Sequence, residues 1–275
     1  MPLSDKPIFV TGNDGLPVRV SGPWALRKHH YLRNYCGITT GAVGKKFPGG
    51  VIYLDVMAGP GRCREDKATE EFDGSPLVAL NYDFAAYHFI EEHPELFKAL
   101  ETRLANHPKR SRIELSNESW LDLAQNGKLQ FDGRSLVVAF MDPTGISQVP
   151  MSAMQALMRN SRIDLLVTIQ YRLGITLNAP QFARSRTEST VLDEFLGSSE
   201  WRQGQWRDAS ELARFAIDAF CTKIKESGFK EARHIPVPET NPLYRFTYFS
   251  RHELGTSFWH KILKFDEKGQ PDLPF

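Results

Sequence analysis

A loop of four small residues, Ala58, Gly59, Pro60 and Gly61, directly follows the apolar run VIYLDVM. Because glycine lacks a Cβ atom and accepts backbone conformations that other residues avoid, such a loop lets a ligand press against the main chain. Asp55, near the end of the apolar run, can accept a hydrogen bond from an ammonium group or an ordered water, or can brace the loop. Taken alone, the Gly-x-Gly pattern fits a ligand site and a simple tight turn about equally well.

A carboxylate, Glu91, ends the second apolar run in the phrase HFIEEH. An acid at this position of a nucleotide-binding sheet can accept hydrogen bonds from both hydroxyls of a ribose. The separation between Gly59 and Glu91 exceeds the roughly 20 residues that are usual in a dinucleotide fold, and we attribute the excess to the charged segment 64–73. Asn117 follows the third apolar run, from which it and Glu118 could reach an adenine ring.

The glycine loop lacks two patterns that bind phosphates. It reads GPGRCR, so the third glycine of G-x-G-x-x-G is absent, and the sequence contains no G-K-[ST] that would cradle a triphosphate. The loop therefore predicts a nucleoside-like cofactor without phosphates. A hydride-transferring NAD(P) enzyme is disfavoured for the same reason.

A third cluster, Asp142, Pro143, Thr144 and Gly145, follows the apolar run SLVVAFM. A carboxylate and backbone carbonyls at the end of a strand could orient or deprotonate an attacking amine or hydroxyl, which predicts a catalytic role. A strand-ending turn without such a role is the alternative interpretation. No spacing of histidines and cysteines predicts a metal site.

The elements that must position these residues alternate between apolar runs and amphipathic stretches. This pattern is typical of a doubly wound α/β fold, in which helices cover both faces of a mostly parallel sheet and ligands bind outside the carboxyl ends of the strands. Strands are predicted at 51–56, 87–90, 112–115, 135–141, 163–169, 232–237 and 243–250, the last two as an antiparallel hairpin. Helices are predicted at 24–36, 76–80, 95–105, 151–158, 190–196, 209–227 and 257–263.

The length of 275 residues suits one large α/β domain with a well-buried core. We expect a single domain over 1–275, with an N-terminal helical extension at about 1–50 and an irregular, partly helical insertion at about 172–207. No stretch approaches the ~20 apolar residues of a membrane span and the N-terminus lacks a signal-peptide pattern, which predicts a cytoplasmic protein without a membrane partner. The three cysteines are widely separated, which favours reduced, packed thiols.

The combination of these phrases resembles the three-Cys-motif partner (TcmP) proteins, a branch of the class I methyltransferase-like fold. The shared phrases are YLDVMAGPGRCR, GSPLVAL, FIEEH, FMDPTG, VLDEFLG with the following Trp201, and FTYFSRHELGTSFWHKI, and together they span about residues 24–263. Two positions depart from the family's pattern. Met57 stands where an aromatic residue is usual, and Ser116 with Asn117 stand where many relatives have Gly-Asp.

The resemblance implies a Rossmann-like, seven-stranded sheet with a reversed last strand, and an S-adenosylmethionine pocket at Asp55, Gly59, Gly61 and Glu91. It implies that Asp142 faces the transferred methyl group. It also implies a companion protein that carries three cysteines, which are not the three of this chain. The expected function is transfer of a methyl group to an unidentified nucleophile, with an amine and a nucleic-acid base among the candidates.

The alternative function is a non-catalytic binding protein that keeps the fold and recognises nucleic acid or a companion enzyme. The net charge of +1 does not indicate a nucleic-acid binder. Trp201, Trp206 and Trp259 could stack on a substrate, although packing in the core or at its rim is the preferred interpretation.

Overall fold

A computed structural model describes residues 9–22, 24–66, 68–184, 189–231, 235–237 and 243–264 of the protein. Within these ranges the chain forms two compact units, of which the first comprises 9–120, 134–136 and 261–264 and the second 121–133 and 137–260. None of the helices in the described ranges combines the length and the apolar character that crossing a membrane requires.

The first unit supplies the strands that carry the glycine loop and Glu91. Both α2 and α3 have a proline in their first turn, where its fixed φ angle suits the helix and its missing N–H removes no bond. In chain order its elements are β1 (Phe9–Thr11), β2 (Pro17–Ser21), α1 (Ala25–Ile38), β3 (Val51–Asp55), β4 (Arg62–Glu65), β5 (Glu71–Asp73), α2 (Ser75–Leu80), β6 (Ala86–Ile90), α3 (Pro94–Leu104) and β7 (Ile113–Ser116).

The second unit carries the Asp142 loop. Its strands β8 and β9 are buried along their whole length, as expected of parallel strands that are covered on both faces. Starting from the helix at the boundary, its elements are α4 (Trp120–Gln125), β8 (Leu136–Met141), α5 (Met151–Leu157), β9 (Ile163–Ile169), α6 (Ala179–Arg184), α7 (Val191–Leu196), α8 (Ala209–Glu226), β10 (Lys230–Glu231), β11 (Ile235–Val237), β12 (Tyr244–Ser250) and α9 (Glu253–Ile262).

The larger sheet confirms the predicted fold class. Its strand order is β7, β6, β3, β8, β9, β12, and both β10 and β11 pair with β12. β6 is parallel to β3 and β7, and β9 is parallel to β8, whereas β12 runs antiparallel to β9. The fold is therefore α/β, doubly wound and Rossmann-like, with a mostly parallel sheet of seven strand positions and a reversed last strand. Residues 232–234 of the predicted strand 232–237 lie outside the described residues.

A second, smaller sheet with the order β1, β2, β4, β5 was not predicted. Among the described residues of the N-terminal extension, helix begins at Ala25, and the preceding β1 and β2 form a hairpin instead. Its turn is closed by the Gly12 N–H, which donates to the Leu16 carbonyl at 2.8 Å, and contains Gly15 at a φ angle of 76°. The charged segment 64–73 contains the second half of β4 and all of β5. These two strands explain the long separation between Gly59 and Glu91.

Two tryptophans that could have stacked on a substrate are core residues of the second unit. Trp259 is fully buried and stacks on Tyr248 with ring centroids 5.0 Å apart. Trp201 is 2% exposed, and its indole N–H donates to Asp193 at 2.8 Å. Asp193 also forms a capping box with Thr190 at the start of α7. The phrase VLDEFLG with its following tryptophan is therefore explained by packing and capping.

Candidate functional site

The loop after β3 adopts backbone conformations that glycine takes without strain. Gly59 and Gly61 have φ angles of 64° and 85°. Their surroundings differ, because a Cβ atom on Gly59 would meet no atom within 4 Å, whereas one on Gly61 would lie 3.0 Å from Leu100 Cδ1. The space beside Gly59 is therefore open to a ligand, and Gly61 serves packing.

Glu91 is held in place by the glycine loop itself. The Gly59 N–H donates to Glu91 Oε2 at 2.7 Å, and the His93 N–H donates to Oε1 at 2.8 Å. The residue is only 8% exposed. Since each carboxylate oxygen can accept two hydrogen bonds, both oxygens keep capacity for a further donor. The arrangement is a fixed, charged acceptor at the carboxyl end of β6, and it suits a pair of ribose hydroxyls.

Asp55 braces the same loop from within β3. It is fully buried, and it accepts hydrogen bonds from the Tyr53 hydroxyl and from the Met57 N–H, both at 3.3 Å. Burial raises the pKa of the nearby Cys36 thiol, and the charge of Asp55 raises it further. Cys36, Cys63 and Cys221 are all buried, in agreement with the prediction of packed thiols.

Asn117 joins the site through the ends of two strands. Its side-chain nitrogen donates to the carbonyls of Glu91 at 2.8 Å and Glu92 at 3.1 Å. This leaves its Oδ1 atom to act as an acceptor towards a ligand. Ala58 makes a similar link, because its N–H donates to the Ile90 carbonyl at 2.9 Å. The carboxyl ends of β3, β6 and β7 are thus joined by specific bonds.

Gly74 connects two of the shared sequence phrases. Its N–H donates to the Gly61 carbonyl at 2.8 Å, and a Cβ atom on Gly74 would lie 3.0 Å from that carbonyl oxygen. The hairpin of β4 and β5 therefore leaves the glycine loop at Gly61 and returns to it at Gly74. This close backbone approach gives a physical reason for the joint occurrence of AGPG and GSP.

Arg103, on α3, is a site residue that the sequence analysis missed. Its Nη1 atom donates to the Pro60 carbonyl at 2.6 Å and to the Pro17 carbonyl at 2.8 Å. Its Nε and Nη2 atoms donate to the two oxygens of Asp14 at 2.9 Å each, a bidentate pairing that fixes the guanidinium plane. The side chain is 6% exposed. One guanidinium thus ties the glycine loop to the turn between β1 and β2.

The Asp142 loop belongs to the second unit and is held by two glutamines. Thr144 is exposed, and its N–H and hydroxyl donate to Gln148 Oε1 at 2.7 and 3.0 Å. Pro143 is buried, and its carbonyl accepts a hydrogen bond from Gln170 Nε2 at 2.6 Å. Asp142 is partly exposed. The loop therefore presents a carboxylate and an exposed polar residue at the carboxyl end of β8.

The structure thus brings together most of the predicted cofactor residues within the first unit. Gly59 and Asn117 both bond to Glu91, Ala58 bonds to the Ile90 carbonyl beside it, and Asp55 accepts from the Met57 N–H at the start of the loop. Pro60 and Gly61 complete the loop through Arg103 and Gly74. The predicted catalytic residues occupy one loop of the second unit, with Asp142 leading it.

Comparisons with known proteins support the fold and leave the family open. No family model matches the chain, and no curated protein matches it. Among solved structures, the Legionella pneumophila protein LPL1258, of the family DUF519, has a TM-score of 0.51 at 11% identity, over 90% of this chain and 94% of that chain. The putative methyltransferase yhhF from Escherichia coli has a TM-score of 0.47 at 14% identity, over 89% and 98%. At such identities the likeness to LPL1258 concerns the fold alone.

The fold explains why some site residues were found from the sequence and Arg103 was not. Glu91 follows a strand that its own apolar pattern predicts. Arg103 lies in an amphipathic helix, where an arginine is ordinarily a solvated surface residue. Its partners, Asp14 and Pro60, are 89 and 43 positions away, so no local pattern points to it.

Proposed function

We propose that this protein is an S-adenosylmethionine-dependent methyltransferase of the three-Cys-motif partner type. The observation that carries the proposal is the Glu91 carboxylate, held by the Gly59 N–H beside a glycine whose Cβ direction is open. A ribose placed there would donate both hydroxyls to a charged, prepositioned acceptor. The family type is supported by the shared phrases, two of which meet in the bond between Gly61 and Gly74.

The site residues fit a nucleoside with a sulfonium side chain better than a dinucleotide. The position of the third glycine of a dinucleotide loop is occupied by Arg64, which lies in β4. Glu91 would hold the ribose, and Asn117 Oδ1 could accept from the adenine amino group. The loop from Ala58 to Gly61 would contact the rest of the cofactor through its backbone.

The loop after β8 would bind and orient the methyl acceptor. S-adenosylmethionine, when bound, supplies a methyl group, and the acceptor loses one proton as its new bond to carbon forms. Asp142 would orient the nucleophile and receive a hydrogen bond from it, while Pro143 and Thr144 shape the loop. Alignment of the nucleophile is the main requirement of methyl transfer, which explains how a single carboxylate can suffice.

Calorimetric titration of the full chain tests the cofactor. We expect S-adenosylhomocysteine to bind with one-to-one stoichiometry and NAD⁺ to give no binding heat. Tight binding of NAD⁺, or no heat with either S-adenosylhomocysteine or S-adenosylmethionine, would contradict the proposal.

A further inference from the structure

Gln170 holds a buried amide oxygen beside the Asp142 loop. The residue directly follows β9 and is 8% exposed. Its Nε2 atom donates to the Pro143 carbonyl at 2.6 Å, whereas its Oε1 atom has no hydrogen-bond partner within the described part of the chain. The reverse assignment of the amide would place two oxygens 2.6 Å apart. The hydrogen-bond network therefore fixes the nitrogen on Pro143 and leaves the oxygen as the open acceptor.

A buried acceptor without a partner points to a ligand, because such groups are almost always paired in folded proteins. Thr144 does not supply the partner, since its N–H and hydroxyl both donate to Gln148. We propose that Gln170 is a specificity residue that accepts a hydrogen bond from an NH₂ group of the methyl acceptor. This inference rests on the proposed methyltransferase function.

The chemistry of the loop favours an amino group over a hydroxyl. Asp142, which precedes Pro143, offers a carboxylate, and Gln170, which follows β9 and binds Pro143, offers an amide oxygen. An NH₂ group can donate one N–H to each and still direct its lone pair at a methyl group. A hydroxyl carries one hydrogen, so a hydroxyl that donates to Asp142 leaves the buried Gln170 oxygen unsatisfied, at the usual cost of such a group.

The same surroundings favour a neutral amino group, such as one attached to a heteroaromatic ring, over an ammonium. Only a neutral amine has the lone pair that attacks the methyl carbon, and the uncharged, buried Gln170 amide does not replace the hydration that an ammonium would lose. During transfer the amino nitrogen forms a bond to the methyl carbon as the bond between that carbon and the sulfonium sulfur breaks. The bond's electron pair stays on sulfur, which leaves S-adenosylhomocysteine, and the nitrogen releases one proton to solvent. Adenosine and cytidine carry such amino groups, and spermidine represents the charged alternative.

The test compares wild-type protein with Gln170→Met, which keeps the side-chain length and removes both polar atoms. Gln181→Met, an exposed position on α6, is the matched control. Affinities of adenosine, cytidine and spermidine are measured on protein saturated with S-adenosylhomocysteine, and transfer is followed with tritiated S-adenosylmethionine. We expect at least one heteroaromatic amine to bind and accept methyl, with kcat/KM lowered about 10-fold or more in Gln170→Met and unchanged in Gln181→Met.

A second comparison stays informative even if Gln170→Met does not fold. On wild-type protein, inosine and uridine replace the amino group by a carbonyl and should bind about 10-fold more weakly than adenosine and cytidine. Methyl transfer only to spermidine, equal binding of both members of each pair, or unchanged kcat/KM in folded Gln170→Met would overturn the inference. Absence of any amine binding would also overturn it if S-adenosylhomocysteine binds. If S-adenosylhomocysteine itself does not bind, the proposed function fails instead.

Discussion

The loops after β3 and β8 are held in different ways. The glycine loop is fixed by four other residues of the first unit, namely Ile90, Glu91, Gly74 and Arg103. In the Asp142 loop, the exposed Thr144 bonds to Gln148, which is only four residues further along the chain, and Pro143 bonds to Gln170. Under the proposed function, the glycine loop would bind the cofactor in a fixed arrangement, and the more open Asp142 loop would bind the methyl acceptor.

Glu91→Ala should have the largest effect, and that effect should be on the affinity of the glycine-loop site for the cofactor. It removes the charged acceptor that receives the Gly59 N–H and, by our proposal, the ribose hydroxyls. We expect the affinity for S-adenosylhomocysteine, measured by calorimetry, to fall by at least about 100-fold. Glu92→Ala, at the exposed neighbouring position, is the control and should bind normally. Equal affinities of the two variants would show that Glu91 does not contact the cofactor.

Arg103→Met should destabilise the glycine loop. The variant loses the bonds to the Pro60 and Pro17 carbonyls and to Asp14, and so leaves two partly buried carbonyls without this donor. We expect the free energy of unfolding, measured with urea, to fall by about 2–4 kcal/mol. Arg33→Met, at an exposed position of α1, should change it by less than about 0.5 kcal/mol. A similarly small loss in Arg103→Met would mean that the guanidinium does not hold the loop.

Asp14→Asn should lower the free energy of unfolding by a smaller amount than Arg103→Met, and the loss should depend on pH. The hydrogen bond from Arg103 lowers the pKa of Asp14 below its ordinary value. A lowered folded-state pKa stabilises the protein above the unfolded pKa, and that stabilisation disappears as the pH falls through the folded value. The stability difference between wild type and Asp14→Asn should therefore be present at pH 7 and shrink below about pH 4. Urea midpoints at pH 7, 5 and 3 measure it, and a difference that stays constant would exclude the ion pair as its source.

The parts of the site that were predicted from sequence are those that local patterns encode. The apolar runs of β3, β8 and β9 predict buried strands, and an acid or a glycine directly after such a run lies at the carboxyl end of the sheet. Arg103 and the small sheet could not be predicted, because they depend on contacts between distant segments. The strands β4 and β5 are charged and only four and three residues long, so each is too short to show a recognisable alternation. Gln170 follows β9 directly, yet its burial and the lack of a partner for its oxygen within the described residues are visible only in the structure.

The central claim is that the open space beside Gly59 receives S-adenosylmethionine. Gly59→Ala adds a methyl group to that space, and Gly127→Ala is its matched control, because Gly127 has a φ angle of 73° and an equally open Cβ direction in a turn after α4. Both variants should lose about 1–2 kcal/mol of stability from the strained backbone. Calorimetric titration with S-adenosylhomocysteine should then show at least a 10-fold weaker affinity, about 1.4 kcal/mol, for Gly59→Ala alone. Equal, wild-type affinity in both variants would contradict the account.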